Sequence, residues 1–520
     1  MRVTPANLGA KAHAEAHSDA QVPAQAGAGR AADAAGAGAG TPATAVTPAR
    51  AELGGGGDGG LGDLSKQSIS IRTPPPGPLT RAHIEHQTAF VSPSLIYCYP
   101  LVVKRAAGCM VEDLDGNVYL DAQAGVATAS TGHCHPAVAA AIGAQASNLI
   151  HICGTDFYYP AYGAVCERLA ELAERLLPKP TAAAPAGAKG PGGWQTFLTN
   201  SGTEAVEASL KLAREHTRRT AIVAFRGGFH GRSYGALSLT ASKAKYRKHF
   251  GPFLPGVYHG EWGNLESVER DLFHHLVAPD DVAAIVVEPV LGEGGYLLPP
   301  PDFLPGLRRI CDAHGILLVF DEVQSGMGRT GAMFAAEHFG VAPDVVLLAK
   351  GLASGMPLGA MMARAAFMTW PPGSHGSTCA GNPVCCAAAL ATLDLLEGGG
   401  LVANSAARGD SLRRKLTARL GPAAGVTDVR GVGLMVGVEL DTHARATAVA
   451  ELCFRRGLLV LECGQKAIRL SPPLIVTEEQ VGTMVDVFST ACMDVYRDQT
   501  TTAHPGHAGQ PGHAGRVQLP

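Results

Sequence analysis

The fold turns on two stretches, ILLVFDEV at residues 316–323 and VVLLAKG at 345–351. From Ile316 to Phe320 every position is apolar, so neither face of this run can meet water. A short run of that kind suits a strand covered on both sides. It ends in Asp321, and the second run ends in Lys350, 29 residues later. TFLT at 196–199, AIVAF at 221–225 and AAIVVEPV at 283–290 have the same character, with helical stretches between them. The pattern from Gly192 to Ala363 predicts an α/β large domain, a mainly parallel sheet covered by helices on both faces.

Outward from this core the periods shorten. Leu95 to Val126 alternates apolar and polar residues around Asp115-Gly116-Asn117, which predicts a small antiparallel sheet. On the other side a helix is expected from Pro383 to about Leu396. Strands are expected over Val429–Leu440, Gly457–Leu461 and Ile468–Leu470, then a closing helix from about Thr477 to Tyr496. The simplest assembly joins the N- and C-terminal segments into one small α+β domain beside the large one. In SISIRTPPPGPLTR (68–81), Pro74, Pro75, Pro76 and Pro78 predict an extended arm lying on another surface. Pro178–Gly193, rich in Ala, Pro and Gly, reads as a surface insertion. Among the first 60 residues 31 are Ala or Gly, too few large apolar groups to offset chain entropy. The expected organisation is a disordered segment over 1–65 and an arm with part of the small domain over 66–130. The large domain follows over 131–395, the C-terminal small domain over 396–498 and a disordered tail over 499–520.

A net charge of −3 without a basic block argues against nucleic acid or an acidic membrane surface as partner. The best apolar runs are broken by Glu288 or Asp394, short of a membrane span. The front end has no apolar h-region and few Ser, so a cytoplasmic location is expected. Twelve Cys without a C-x-x-C pair argue against a disulfide framework or a zinc site, and no metal is expected. They read as small buried hydrophobes. Gly54–Gly60 lacks the strand and helix of a nucleotide fingerprint. His504, His507 and His513 read as a solvated low-complexity end.

Three features carry chemistry. Asn200-Ser201-Gly202-Thr203-Glu204 follows a short strand and opens a helix whose first amides can cradle a phosphate, although the same residues also describe a plain capped helix. Asp321 closes a central strand, where open α/β sheets bind ligands; a strand-end carboxylate can equally cap the next loop. Lys350, directly after an apolar run, either snorkels to solvent or is desolvated into a nucleophile. Of the twelve Lys it is the one best placed for covalent chemistry. Together the three match pyridoxal 5'-phosphate, whose aldehyde takes a lysine and whose pyridinium nitrogen takes a carboxylate.

FDEVQSGMGRTG (320–331) followed by PDVVLLAKGLASG (343–355) resembles the signature of the class-III aminotransferases of fold type I. NSGTEAVE, GGFHGR, VVEPVLGEGGY, GSTCAGNP and RGVGLM resemble further segments of that family in the same order, over about residues 68 to 498. The resemblance implies that Ser201, Gly202 and Thr203 bind the phosphate and that Phe229 and Val323 pack on the two faces of the ring. It implies that His230 and Glu288 support the cofactor, Asp321 pairs with the ring nitrogen, Gln324 meets the phenolic oxygen and Lys350 forms the Schiff base. Thr378 would reach the phosphate of a neighbouring subunit, with Ser377 beside it near substrate, so a homodimer is implied.

For substrate, the resemblance gives Arg232 and Arg469 as carboxylate binders, a task suited to the guanidinium fork. It gives Glu293 as the acid that neutralises Arg469 when an ω-amine is bound. Val126, in DAQAGVATAS, stands where eukaryotic ornithine aminotransferases resemble one another in a Tyr and 4-aminobutyrate enzymes in an Ile. RTPPPGP and GTDFYYP resemble a prokaryotic and archaeal branch that holds broad ω-aminotransferases and amino-acid racemases. The expected activity is transfer of an amino group from an ω-amine (4-aminobutyrate, ornithine or acetylornithine type) to 2-oxoglutarate, giving an aldehyde and glutamate. The alternatives are a racemase or epimerase on the same scaffold and a cofactor-sensing regulator. The front end has neither the charge nor the helical period of the DNA-binding domain that a regulator needs.

Overall fold

The structure, a computed structural model, describes residues 63–179 and 193–501. The expectations for residues 1–62, for most of the Pro178–Gly193 insertion and for the tail histidines fall outside the described residues.

Near the N-terminus Val103–Ala107 (β1), Met110–Asp113 (β2) and Val118–Asp121 (β3) form an antiparallel meander. Its tight turn is built by Asp113, whose Oδ1 accepts from the amides of Asp115 (2.9 Å) and Asn117 (2.8 Å), with Gly116 at φ +80°. The meander is shorter than the Leu95–Val126 expectation. Leu95, Ile96 and Tyr97 stay exposed outside it, and Ala124–Ala127 form a left-handed turn with φ between +50° and +61°. The proline arm also differs. Ser70 pairs with Val118 as extended chain, but Pro78 opens a helix, Pro78–Thr88. Proline lacks the amide that a first helical turn would leave unpaired. The next two amides, of Leu79 and Thr80, donate to the Asp115 carboxylate at 2.9 and 3.0 Å.

The large sheet contains Trp194–Thr199 (β4), Ala221–Arg226 (β5), Val257–Glu261 (β6), Val282–Val287 (β7), Leu317–Asp321 (β8), Val345–Leu348 (β9) and Gly359–Arg364 (β10). Its order is β4-β10-β9-β8-β7-β5-β6. The β6-β5-β7-β8-β9 pairs are parallel, and β10 runs antiparallel to both of its neighbours. Two strands were not evident as apolar runs: β6 is an edge strand with mixed exposure, and β10 carries no β-branched residue. Two expected runs end early. The chain leaves the sheet after Val287 and after Asp321, so Glu288 and Val323 lie on loops at strand ends rather than within strands.

The C-terminal segment adds a second small sheet from Val426–Val432 (β11), Met435–Leu440 (β12), Leu461–Cys463 (β14) and Ala467–Leu470 (β15). The single strand expected over Val429–Leu440 is a hairpin, broken where Gly433 takes φ +53°. Leu458–Leu459 (β13) instead joins the first sheet, parallel to β3, so the small α+β part is built from both ends of the described chain. The helix Pro383–Gly398 is capped by Asn382, whose side chain accepts from Val384 N at 2.9 Å, and Glu478–Thr501 is the last described helix. Cys311, Cys385 and Cys386 are buried as expected, whereas Cys98, Cys134 and Cys379 are exposed and are not core residues. Among the described residues no single helix is long and apolar enough to cross a membrane.

The helix Leu401–Arg419 rests on the β11–β12 turn so closely that a Cβ on Gly409 would lie 1.9 Å from Gly433 O. Gly409→Ala is therefore expected to destabilise the protein by about 1–3 kcal/mol, despite the ~1 kcal/mol by which Ala favours a helix. A urea midpoint at or above that of the parent chain would contradict this packing.

Candidate active site

Because β8 and β9 are parallel neighbours, with Asp321 opposite Leu347, their carboxyl ends bring Asp321 and Lys350 to one place. They line a cleft of about 370 Å³ with Ser201, Gly202, Thr203, Phe229, His230, Glu288, Val323 and Gln324. A wider recess of about 650 Å³ at the β4 edge, lined by Trp194, Phe197 and Trp370, brings no lysine to a carboxylate. Site chemistry therefore belongs to the smaller cleft.

Asp321 is held on both oxygens. Oδ1 accepts from Val323 N at 3.1 Å, and Oδ2 lies 2.8 Å from His230 Nδ1 with both side chains buried. Burial works against a charge on His230, but the hydrogen bond and charge of Asp321, with Glu288 behind it, hold its pKa above the usual value. His230 is fixed in turn: its amide donates to Thr240 Oγ1 at 2.9 Å, and that hydroxyl donates to Gly231 O at 2.9 Å. Burial pushes the Glu288 carboxyl up. Its two oxygens accept from Phe229 N (2.8 Å) and Gly292 N (2.9 Å), tying the FHGR loop to the GEGGY loop.

The helix Gly202–Thr217 begins at the cleft. Ser201 caps it, accepting from Glu204 N at 3.4 Å, and Glu204 Oε2 accepts from Asn200 N at 2.8 Å. The capped-helix reading thus holds, and it leaves the amides of Gly202 and Thr203 without intrahelical partners. A Cβ on Gly202 would lie 2.7 Å from Val323 Cγ1, so only glycine lets the helix start approach this side chain. Thr203 Oγ1 is 2.6 Å from Ser233 Oγ.

Lys350 has φ +43°, a backbone conformation that side chains disfavour and that here turns the chain at the strand end. Burial lowers its amine pKa, while Asp321 and Glu288 oppose the shift. Gln324 Oε1 accepts from Tyr296 OH at 2.9 Å.

Beyond the cleft floor, Arg469 on β15 meets Glu293 at 2.8 Å, both largely buried. Arg469 Nε and Nη1 are buried with no hydrogen-bond partner among the described residues. Other expected substrate residues stand apart. Arg232 is exposed, its guanidinium 4.6 Å from the Tyr246 ring, and does not line the cleft. Val126, at φ +61° in the left-handed turn, also lies outside the lining, where Thr128 takes part instead. Thr378 is exposed, and Ser377 Oγ accepts from Asn200 Nδ2 at 3.1 Å. Thr128, Tyr296 and the Gly355–Leu358 turn were not anticipated. Each left a faint signal: Thr128 lies in DAQAGVATAS, Tyr296 ends GEGGY and Gly355 ends PDVVLLAKGLASG.

A phosphate fits the uncapped amides at Gly202 and Thr203, a protonated ring nitrogen fits Asp321, and an aldehyde fits the desolvated Lys350 amine. The comparisons agree. Residues 96–492 match the family model described as aminotransferase class-III. The acetylornithine aminotransferase of Methanopyrus kandleri is 42% identical over 386 residues, 74% of this chain and 92% of that one. The 4-aminobutyrate aminotransferase of Mycobacterium leprae is 36% identical over 455 residues, covering 82% and 98%. The solved ornithine aminotransferase of Toxoplasma gondii superposes with a TM-score of 0.72 at 30% identity, covering 81% and 96%. The fold and site define a fold type I pyridoxal-phosphate enzyme. Within that class, the chain belongs to the class-III aminotransferases, and its cofactor is pyridoxal 5'-phosphate.

Borohydride treatment of the yellow holoenzyme should fix the cofactor on the peptide containing Lys350; fixation on another lysine would refute this placement. Lys350→Ala should keep some cofactor through the phosphate cradle yet lose turnover by several orders of magnitude. Asp321→Asn should weaken cofactor binding modestly and turnover severely, because the amide keeps the shape but carries no charge to hold the ring proton. Near-normal turnover in the Asn variant would mean that the ring nitrogen finds its partner elsewhere.

Proposed function

We propose that this aminotransferase takes the amino group of an ω-amine, of the 4-aminobutyrate, ornithine or acetylornithine type, and passes it to 2-oxoglutarate, yielding an aldehyde and glutamate. The observation that carries this reading is the buried Glu293–Arg469 pair at 2.8 Å. With the pair closed, Arg469 is neutralised and the pocket beside it accepts the uncharged stem of a distal amine. With Glu293 turned away, the guanidinium is free for the carboxylate of glutamate or 2-oxoglutarate, and its Nε and Nη1 already lack partners among the described residues. The names of the acetylornithine and 4-aminobutyrate relatives support the same donor class.

In this reading the Gly202 and Thr203 amides bind the phosphate, Phe229 and Val323 hold the ring, and Gln324 faces its phenolic oxygen. Asp321, hydrogen-bonded to His230, retains the proton on the ring nitrogen. When bound, the cofactor supplies an aldehyde that receives the amino group and a protonated ring that draws electrons from the amine-bearing carbon. Lys350, whose amine pKa burial lowers, removes the proton from that carbon and delivers it to the cofactor side. Glu288 stays behind His230 and fixes the two loops that flank the ring. A racemase would return the proton to the same carbon, so glutamate formation from 2-oxoglutarate separates the two activities.

A homodimer is part of the proposal. Phe90, Leu95, Ile96 and Tyr97 in one segment, with Ile150, Phe157 and Tyr158 in another, leave large apolar side chains exposed, as an unpartnered interface does. Exposed Thr378 is then available to a neighbouring subunit. Thiols such as those of Cys98, Cys134 and Cys379, free and exposed, suit a reducing compartment such as the cytoplasm.

Breaking a buried ion pair leaves an uncompensated charge, at a cost of about 3–5 kcal/mol. Glu293→Ala should therefore slow the ω-amine half-reaction and spare the glutamate half-reaction, and Arg469→Ala should do the reverse. Single-turnover spectra of each half-reaction report the crossing. Equal slowing of both halves in both variants would reduce the pair to a structural role.

A further inference from the structure

Tyr296 ends the GEGGY loop, and nothing in the reaction above uses it. Its side chain is fully buried, and its backbone takes φ +54° directly after Gly295 at φ +128°. Large side chains seldom adopt such a backbone, so the surroundings must impose it. They do so from two sides. Leu291 and Leu297 pair across the base of the loop, and Arg430 donates to Gly295 O from Nε at 3.0 Å and Nη2 at 2.8 Å. The ring is thereby fixed with its hydroxyl 2.9 Å from Gln324 Oε1.

An amide side chain has a donor end and an acceptor end that exchange by a half-turn, and a phenol can serve either. The neighbours of the phenol decide between them. The Arg469 charge stands close to the phenol, and the nearby Ser471 hydroxyl donates instead to Gln123 O at 3.4 Å. A phenol oxygen that faces the Arg469 cation turns its own proton away from it, toward Gln324 Oε1. Gln324 Nε2 is then the end left over. It lies so near Gly292 that a Cβ there would be 2.4 Å from it, it has no acceptor among the described residues, and the side chain lines the cleft.

We infer that Tyr296 is a positioning residue that locks the Gln324 amide, so that Nε2 is presented to the cleft as a donor for the phenolic oxygen of the cofactor. The inference rests on the reading that Gln324 faces that oxygen. A fixed donor favours the phenolic oxygen as an anion, and therefore lowers the pH at which the bound chromophore gives up its proton. Without the phenol hydroxyl the amide is free to turn its oxygen toward another oxygen, and that pH rises.

The test is a pH titration of the visible absorption band of the holoenzyme in the parent chain, Tyr296→Phe, Gln324→Met and the double variant. Tyr296→Phe keeps the ring and removes only the hydroxyl. It should raise the midpoint by about one pH unit. Gln324→Met should raise it at least as far, and the double variant no further than Gln324→Met alone. Arg430→Lys, which leaves the phenol in place and loosens the doubly held Gly295 carbonyl, should shift it in the same direction by less, and serves if Tyr296→Phe folds poorly. An unchanged midpoint in Tyr296→Phe, or single shifts that add in full in the double variant, would overturn the inference and leave the Gln324 placement standing. An unchanged midpoint in Gln324→Met would overturn the placement and the inference with it, while the Glu293–Arg469 half-reactions would still test the substrate reading.

Discussion

Asp321 and His230, 2.8 Å apart and almost wholly buried, are the pair on which the site depends. An isolated charge in such a place is prohibitively costly, and a paired one is tolerable only with its remaining hydrogen bonds met. Asp321 meets that condition through Val323 N, and His230 through Asp321 and a backbone fixed by Thr240. The consequence is chemical. A carboxylate fixed by these partners at the cleft can hold a proton on a ring nitrogen, and burial in the same place lowers the pKa of Lys350. One buried volume thus serves an acid and an amine, with opposite demands on their surroundings.

Loops carry the rest of the site, and their precision comes from close backbone approach. Gly202 against Val323, Gly231 against Thr203 and Gly292 against Gln324 all leave less room than a Cβ needs. Glu288 bridges two of these loops through the amides of Phe229 and Gly292, acting as a buried tie rather than a solvated acid. The loop from Glu288 to Tyr296 therefore serves several parts of the site at once. It holds Glu293 against Arg469 and Tyr296 against Gln324. Substrate charge and cofactor electronics meet in a single short segment.

The left-handed turn at Ala124–Ala127 stores strain beside this site. It is clamped by Ser471 N donating to Ala122 O at 2.7 Å and Leu474 N donating to Ser130 O at 2.8 Å. Both donors follow β15, which also carries Arg469. The small α+β part is thus joined to the cleft through the strand that bears the carboxylate-binding arginine.

Much of the arrangement is local and was legible. Apolar runs ending in Asp321 and Lys350 define buried strands, because a run without a polar face has nowhere to go but inside a sheet. The Ser201–Glu204 pattern defines a helix start, and Asp115-Gly116-Asn117 a turn, because capping and turn chemistry act over a few residues. The β6 and β10 strands were hidden, since mixed exposure and Gly, Ala and Met give no strand period. The Pro78 helix was hidden because its cap, Asp115, comes from another element. Arg232 and Val126 show the same limit from the other side: a motif names a residue but not where its side chain lies. The Glu293–Arg469 pairing comes from family resemblance and not from the residues' own spacing. Only the tertiary structure sets Tyr296 against Gln324, because contacts between distant segments depend on strand order and on backbone conformations that neighbouring elements impose.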